Sequence, residues 1–199
     1  MPNQLTVVAV TYDHKRKLNI FLDSMLEQTW KDWECIIVHD GSSGESSEDT
    51  KQRIAPYLLE FPDKFRYLAT PERANQFGHN CRDLGLQNTN TKWVHITNVD
   101  NQLVYDWLRH VMSETIQQDL DLMYWSCVHS YFGFNAPIPE LRPGHIDFCN
   151  YLMKTELAKQ MGFPWRHREA DGAQIAQFML DFPEAHIKRF DYGIFTVHN

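Results

Sequence analysis

Trp93-Val94-His95-Ile96-Thr97-Asn98-Val99-Asp100-Asn101-Gln102-Leu103 starts as a strand and ends on a carboxylate. Val94 and Ile96 are β-formers in a run of only a few residues. The run then breaks into polar and small residues around Asp100. Beyond it, the spacing of Leu103, Trp107, Leu108 and Val111 predicts a helix beginning after Leu103. A carboxylate at the C-terminal end of a buried strand is where open α/β sheets bind ligands. Taken alone, the stretch has a simpler reading: Asn98, Asp100 or Asn101 caps the helix that follows. The flanking sequence decides between the two.

Upstream, Leu5-Thr6-Val7-Val8-Ala9-Val10 is too short and too β-branched for a helix and reads as a buried strand ending at Thr11-Tyr12-Asp13. Leu18, Phe21, Leu22, Met25 and Leu26 then recur at helical spacing. Trp33-Glu34-Cys35-Ile36-Ile37-Val38 is a second buried strand, running into His39-Asp40-Gly41-Ser42. Strand, helix and strand within about 35 residues make a βαβ unit, and such crossovers imply parallel pairing. A helix from about Glu48 to Phe61, a strand at Phe65 to Leu68, an irregular polar stretch from Thr70 to Gly78 and a helix from Asn80 to Asn88 fill the gap to Trp93.

Downstream, Asp121 to His129 reads as a strand and Phe132 to Gly144 as a long loop rich in proline, of the kind that is often functional. Asp147 to Met153 is apolar enough for a strand. Lys154 to Met161 is a short helix stopped by Gly162 and Pro164. Trp165 to Glu169 is a basic, polar loop. Asp171 opens a helix with Ile175, Phe178 and Met179 on one face, and Ile187 to Phe195 supplies the last strands.

The chain has 199 residues, which suits one domain spanning 1–199, and a hydrophobic share of 43%, enough for a real core. Its net charge of −7 argues against a nucleic-acid or anionic-membrane surface. Ten histidines are scattered without metal-binding spacing. Cys35, Cys81, Cys127 and Cys149 form no CxxC pair, which argues against structural zinc and for a reduced, cytoplasmic protein. No signal peptide is visible, and no apolar run approaches the ~20 residues needed to span a bilayer.

Several stretches in one order carry a resemblance. Val7 to Asp13 is similar to the opening strand of family 2 glycosyltransferases, an apolar run followed by Thr-Tyr-Asn. Leu22, Ser24, Gln28-Thr29 and Trp33-Glu34, then Ile36 to Ser42, resemble that family's Leu…Ser…Gln-Thr helix and its strand ending in Asp-Asp-Gly-Ser. Gly78 to Gly85 resembles its Arg-Asn-x-Gly helix, and Trp93 to Asn101 its Asp-x-Asp strand end. His39 and Asn98 stand where the family has the first Asp of each acidic motif. The resemblance implies an α/β fold of the GT-A type, with a mostly parallel central sheet flanked by helices. It also implies a donor half over about 1–101 and an acceptor half over about 102–199.

It implies roles as well. Thr11, Tyr12, Asp13 and Asp40 would meet the nucleoside of a nucleotide-diphosphate sugar, most simply a UDP-sugar. Asp40 would accept from a uracil N–H or a ribose hydroxyl, although Asp40-Gly41-Ser42 also reads as a plain turn. Asp100, with a neutral contact from Asn98, would anchor Mn2+ or Mg2+ against the diphosphate. Arg82 falls where the family has its Arg and is a phosphate partner, with Arg73 a second candidate. Asp171, with Glu169 nearby, matches the family's catalytic base. His198 is a candidate second metal ligand, and Asp147, Trp125 and Trp165 are candidates to line the sugar and acceptor site.

The function so implied is transfer of a sugar from a nucleotide donor to a hydroxyl of a glycan or small acceptor, as in polysaccharide biosynthesis. The displacement is single and inverting, with metal assistance. Two alternatives belong to other classes. One is a nucleotide-sugar binding module that has lost catalysis, motivated by His39 and Asn98. The other is a nucleotidylyltransferase, which would want a Gly-rich basic loop where Thr11-Tyr12-Asp13 stands.

Overall fold

The computed structural model describes residues 4–13, 15–42, 44–129, 138–164, 169–191 and 196–198; of Lys15, His129 and 196–198 it describes the backbone alone. Trp165, residues 132–137 of the proline-rich loop and residues 192–195 therefore lie outside the described residues. In chain order the elements begin with β1 (Leu5–Thr11), α1 (Lys15–Leu26), β2 (Trp33–His39), α2 (Glu45–Glu60), β3 (Phe65–Ala69) and α3 (His79–Gln87). They continue with β4 (Trp93–Asn98), β5 (Asn101–Leu103), α4 (Trp107–Gln118), β6 (Leu122–Tyr124) and β7 (Val128–His129). The last are β8 (Tyr151–Lys154), α5 (Thr155–Met161), α6 (Ala170–Asp181), β9 (Ile187–Arg189) and β10 (Thr196–His198).

Seven strands form one sheet in the order β3-β2-β1-β4-β8-β6-β9. β1, β2, β3 and β4 are mutually parallel, β8 runs antiparallel to both β4 and β6, and β9 is parallel to β6. β5, β10 and β7 make a separate three-stranded ribbon. The central strands are buried on both faces because helices cover both, which is why they read as continuous apolar runs. Alternate residues divide between two cores. Leu5, Val7, Ala9, Cys35 and Ile37 pack with Leu18, Phe21, Leu22 and Met25 of α1 and Trp107 to Met112 of α4. Val8, Val10, Ile36 and Val38 face α3, α5 and α6.

Gly85 lets α3 sit down on the sheet. A Cβ there would come within 2.2 Å of Val8 Cγ1 and 3.3 Å of Val38 Cγ2. The Leu…Ser…Gln-Thr pattern of α1 has an equally local cause. Ser24 Oγ accepts from the Leu103 N–H at 3.2 Å, and Gln28 Oε1 accepts from the Leu108 N–H at 2.9 Å. Gln28 Nε2 donates to the Val104 carbonyl at 3.0 Å, and Thr29 bonds Asp106. Ser24 of α1, with Gln28 and Thr29 just beyond its end, thus holds the segment from Leu103 to Leu108. Gln28 is fully buried, so its two bonds satisfy polar groups that water cannot reach.

Several boundaries differ from expectation. The helix expected after Leu103 starts at Trp107, because Asn101–Leu103 pairs with β10 as a strand. The single strand expected over Asp121 to His129 is two short ones, β6 and β7. Asp147 to Met153 opens as a 3-10 turn, Phe148–Asn150, before β8. There the Asp147 carboxylate accepts from the Cys149 N–H while Asn150 Oδ1 accepts from the Asp147 N–H, at 3.1 and 2.9 Å. This local capping outcompetes the apolar pattern. α2 begins at Glu45 and tolerates Pro56 inside it.

β4 and β8 pair only as far as His95 and Leu152. His95 is fully buried, 5.2 Å from the Trp107 ring and 5.4 Å from the Trp125 ring. Its Nδ1 lies 2.8 Å from the Tyr151 carbonyl, which selects the tautomer that carries a proton there. Burial pushes its pKa down from 6.5 to about 4. A folded pKa below the unfolded value contributes stability above pH 6.5 that is lost as pH falls through 4. We expect unfolding free energy to drop by on the order of 3 kcal/mol across that window from this group. His95→Phe should remove that part of the slope in urea titrations; an unchanged slope refutes it. Separately, Gly85→Ala should cost about 1–3 kcal/mol by overpacking. A neutral result in the same titrations would mean that α3 shifts freely.

Candidate active site

The parallel register assembles the site. Val10 of β1 pairs with Asn98 of β4, and Thr11 pairs with His39 of β2. Three strands therefore end side by side, and their next residues surround one cavity of about 200 Å3. Thr11, Tyr12, Asp40, Arg73, Asn75 and Asn98 are among the residues that line it. This is the carboxyl-end crevice of a parallel sheet.

Asp40 is 6% exposed. Its Oδ1 accepts from the Ala74 N–H at 2.9 Å and lies 3.3 Å from the Thr70 hydroxyl; its Oδ2 accepts from the Asn75 N–H at 3.1 Å. A carboxylate has about four acceptor positions, so one at Oδ2 stays open toward the cavity. Asp40 thus anchors the loop from Thr70 to Gly78, whose Asn75, Phe77 and Gly78 all take positive φ, at 51°, 53° and 77°. The same loop lays the Arg73 guanidinium 3.6 Å over the Tyr12 ring. Sequence reading placed Arg73 among phosphate partners; the structure makes it the lid of the Tyr12 face. Asp13, expected beside the nucleoside, is exposed and does not line the cavity.

His39 stands where an aspartate was expected and has a structural duty. It is 1% exposed, its Nδ1 is 2.7 Å from the Gly41 carbonyl, and its Nε2 is 3.1 Å from Ser46 Oγ. Ser46 Oγ in turn donates to the Tyr12 carbonyl at 2.9 Å. The imidazole thus ties the ends of β1 and β2 together from below, away from the cavity.

Arg82 is 4% exposed. One terminal nitrogen donates to the Phe77 carbonyl, the other donates to Asn98 Oδ1 at 2.7 Å, and the guanidinium lies 4.4 Å over the Phe148 ring. Its Nε has no partner among the described residues. Burial pulls its pKa down; the charge of Asp147, then of Tyr151 and Asp171, pulls it back. Arg82 therefore stands behind Asn98 as a structural cation. Asn98, engaged by it, presents no free carbonyl oxygen partnered only by solvent.

Asp100 Oδ1 is buried and has no hydrogen-bond partner among the described residues. Among the described residues no three His, Cys, Asp or Glu groups converge on one point. An orphaned carboxylate oxygen fits a hard cation that takes its remaining ligands from phosphate and water. His198 lies on β10, where its backbone pairs with Asn101 and His129. Its side chain, and with it the expected ligand role, lies outside the described residues.

Asp171 sits in the first turn of α6, where its Oδ1 accepts from the Gly172 N–H at 2.7 Å. Burial pushes its pKa up to about 7, with the Asp147 charge adding to the rise and Arg82 opposing it. A carboxyl group with this affinity is suited to proton abstraction near neutral pH. Glu169 is exposed. Of the remaining sugar-site candidates, Trp125 is fully buried and belongs to the core.

No helix among the described residues is long and apolar enough to cross a membrane. The family profile of glycosyl transferase family 2 matches residues 6–181. Glycosyltransferase GlyA of Streptococcus pneumoniae is 26% identical over 133 residues, which cover 67% of this chain but only 17% of that protein. Among solved structures, S. aureus TarS 1-349 in complex with UDP-GlcNAc superposes with a TM-score of 0.77 at 13% identity, over 98% of this chain and 58% of that one. Mannosyltransferase PcManGT from Pyrobaculum calidifontis, in complex with GDP-Man and Mn2+, does so at 0.73 and 17%, over 99% and 57%. At such identities the likeness is one of fold, and that fold is GT-A. With a matched profile running from β1 to the end of α6, the chain belongs to glycosyl transferase family 2.

Proposed function

We propose that the protein transfers a sugar from a nucleotide-diphosphate donor, most simply a UDP-sugar, to a hydroxyl of a glycan or small acceptor in the cytoplasm. The displacement is single, with inversion. The observation that carries this reading is the cavity at the ends of β1, β2 and β4, where Thr11, Tyr12 and the open acceptor position of Asp40 converge. Neighbours of the same fold bound to UDP-GlcNAc and to GDP-Man support a nucleotide-sugar donor. About 1–101 then form the donor half and 102–199 the acceptor half.

Tyr12 offers the base a ring face, with Arg73 moving aside, and Asp40 accepts from a base N–H or ribose hydroxyl. Thr11 Oγ1, buried and without a partner among the described residues, adds a hydroxyl to the cavity lining. Asp100 would hold Mn2+ or Mg2+; a bound cation neutralises negative charge on the diphosphate. Asp171 takes the proton of the acceptor hydroxyl as that oxygen attacks the anomeric carbon. Its α6 position on a separate element lets it act on the acceptor while Asp40 and Tyr12 keep the donor. The Asn98 replacement favours a weak cation site that is completed by the donor, since one carboxylate is all this strand end provides.

Activity is tested by incubating the protein with UDP-sugars, Mn2+ and hydroxyl acceptors and following UDP release, with the product's anomeric configuration read by NMR. Retained configuration would overturn the single-displacement assignment. Calorimetry should show Mn2+ tightening UDP binding in wild type and not in Asp100→Ala; equal affinities with metal and with chelator count against Asp100. Asp171→Asn keeps size and should leave UDP affinity near wild type while turnover falls on the order of 10²–10⁴-fold. Glu169→Gln, at an exposed position, should cost far less. Near-native transfer by Asp171→Asn would remove it as the base.

A further inference from the structure

The loop from Thr70 to Gly78 crosses the three strand ends that form the cavity. It leaves β3 beside β2, where the Thr70 N–H bonds the His39 carbonyl at 3.0 Å. Asp40 then holds it through the Ala74 and Asn75 N–H groups. At the end of β1 the fit is close: a Cβ on Gly78 would come within 2.8 Å of Val10 Cγ1. Buried Arg82 ties the far end of the loop to β4, one terminal nitrogen donating to the Phe77 carbonyl and the other to Asn98 Oδ1.

Phe77 stands at that far end, and its backbone is costly. Its φ is 53°, a left-handed conformation that bulky residues avoid. Asn75, at 51°, tolerates the same region because a short polar side chain bonds locally, and glycine would do so freely. A phenylalanine gains nothing of that kind. Its ring lines the cavity and is still 62% exposed. Exposure alone means little at a surface. Strained backbone that holds a ring at a cavity mouth points to a ligand. The ring cannot withdraw, since Gly78 is seated on Val10 and the Phe77 carbonyl is held by Arg82. Its ring neighbour among the described residues is His79, with centroids 6.2 Å apart.

The two aromatic side chains of the cavity thus serve different ends of it. Tyr12 and Asp40 lie toward β2, where the nucleoside is placed. Phe77 shares a hydrogen-bonded guanidinium with Asn98, and two residues beyond Asn98 comes Asp100, the anchor for the cation and diphosphate. A donor running from Tyr12 toward Asp100 passes Phe77 as it leaves the nucleoside slot. We propose that Phe77 is a specificity-determining residue, the platform on which the transferred sugar packs. This deepens the donor-site reading above and rests on it. The ligand class is a hexopyranose, whose ring has a face of C–H groups. An aromatic face removes that surface from water and asks for no hydrogen bond in return, so the polar edge of the sugar stays free for other partners.

The test is calorimetry on the full chain with Mn2+, using UDP, UDP-glucose and UDP-GlcNAc as probes. Phe77→Ala should weaken the tighter of the two UDP-sugars on the order of 10-fold, the worth of one stacked ring, and leave UDP unchanged. Phe77→Trp keeps a ring and should bind both UDP and UDP-sugar as wild type does. Phe77→Gly suits the backbone and carries the same expectation as Phe77→Ala if that variant does not fold by circular dichroism. Equal losses for UDP and UDP-sugar would mean that the ring serves the nucleoside or the loop, and overturn the assignment. Unchanged UDP-sugar binding in Phe77→Gly overturns it too, with the donor-site reading left standing. A wild-type protein that binds none of the three nucleotides overturns that reading, and this inference with it.

Discussion

Everything at the site depends on the register of β1 against its two parallel neighbours. With Val10 opposite Asn98 and Thr11 opposite His39, the three strands run out of hydrogen bonds at one level. Their polar ends must then fall together. A slip of one residue on β1 would turn Val7 and Ala9 into the other core and carry Thr11 away from Asn98. That slip is prevented from both faces. Leu5, Val7 and Ala9 are shaped to α1 and α4, while Val8 meets Gly85 of α3 at a distance no other residue allows.

The segment beyond Asp100 needs a second restraint, because β4 parts from β8 after His95 and β5 leaves the main sheet to pair with β10 in the short ribbon. Ser24 and Gln28 supply it by taking the N–H groups of Leu103 and Leu108. The β5–α4 segment is thus tied to α1 and its C-terminal turn. Motif residues in this chain are of two kinds. Asp100 keeps a buried carboxylate oxygen without a partner among the described residues, and Asp40 is held by the Thr70–Asn75 loop. Ser24, Gln28 and Gly85 are fully satisfied or sterically required, which marks scaffolding.

That distinction also explains what could be read in advance. The parallel strands, α1, α3 and the cluster of Thr11, Tyr12, Asp40 and Asn98 were legible because strongly periodic apolar runs end at polar residues, and parallel pairing brings those ends together. Asp147 as a turn was not legible. Its apolar followers, Phe148 and Cys149, match a strand pattern, and only the reciprocal bonds with Asn150 and Cys149 choose the turn. Arg82 was assigned to phosphate from its place in a motif. Its burial depends on Phe148 and Asn98, which lie far from it in sequence, and no local pattern reports that. Nor did the polar stretch from Thr70 to Gly78 announce its left-handed turns, since Phe77 is not a residue that usually adopts them.

The two departures from the family pattern turn out to have different meanings. His39 replaces a carboxylate with a ring that hydrogen-bonds the Gly41 carbonyl and Ser46, so the substitution stays inside the scaffold and leaves Asp40 as it was. Asn98 is different, because it faces Arg82. An aspartate in its place would form an ion pair with a buried guanidinium and draw its positive charge toward the strand end. With a neutral amide there, Arg82 holds the strand end by a hydrogen bond and not by an ion pair. Buried charge of this kind destabilises a fold unless it is compensated, and Arg82 is met by the Phe77 carbonyl, by Asn98 Oδ1 at the end of β4 and by the Phe148 ring.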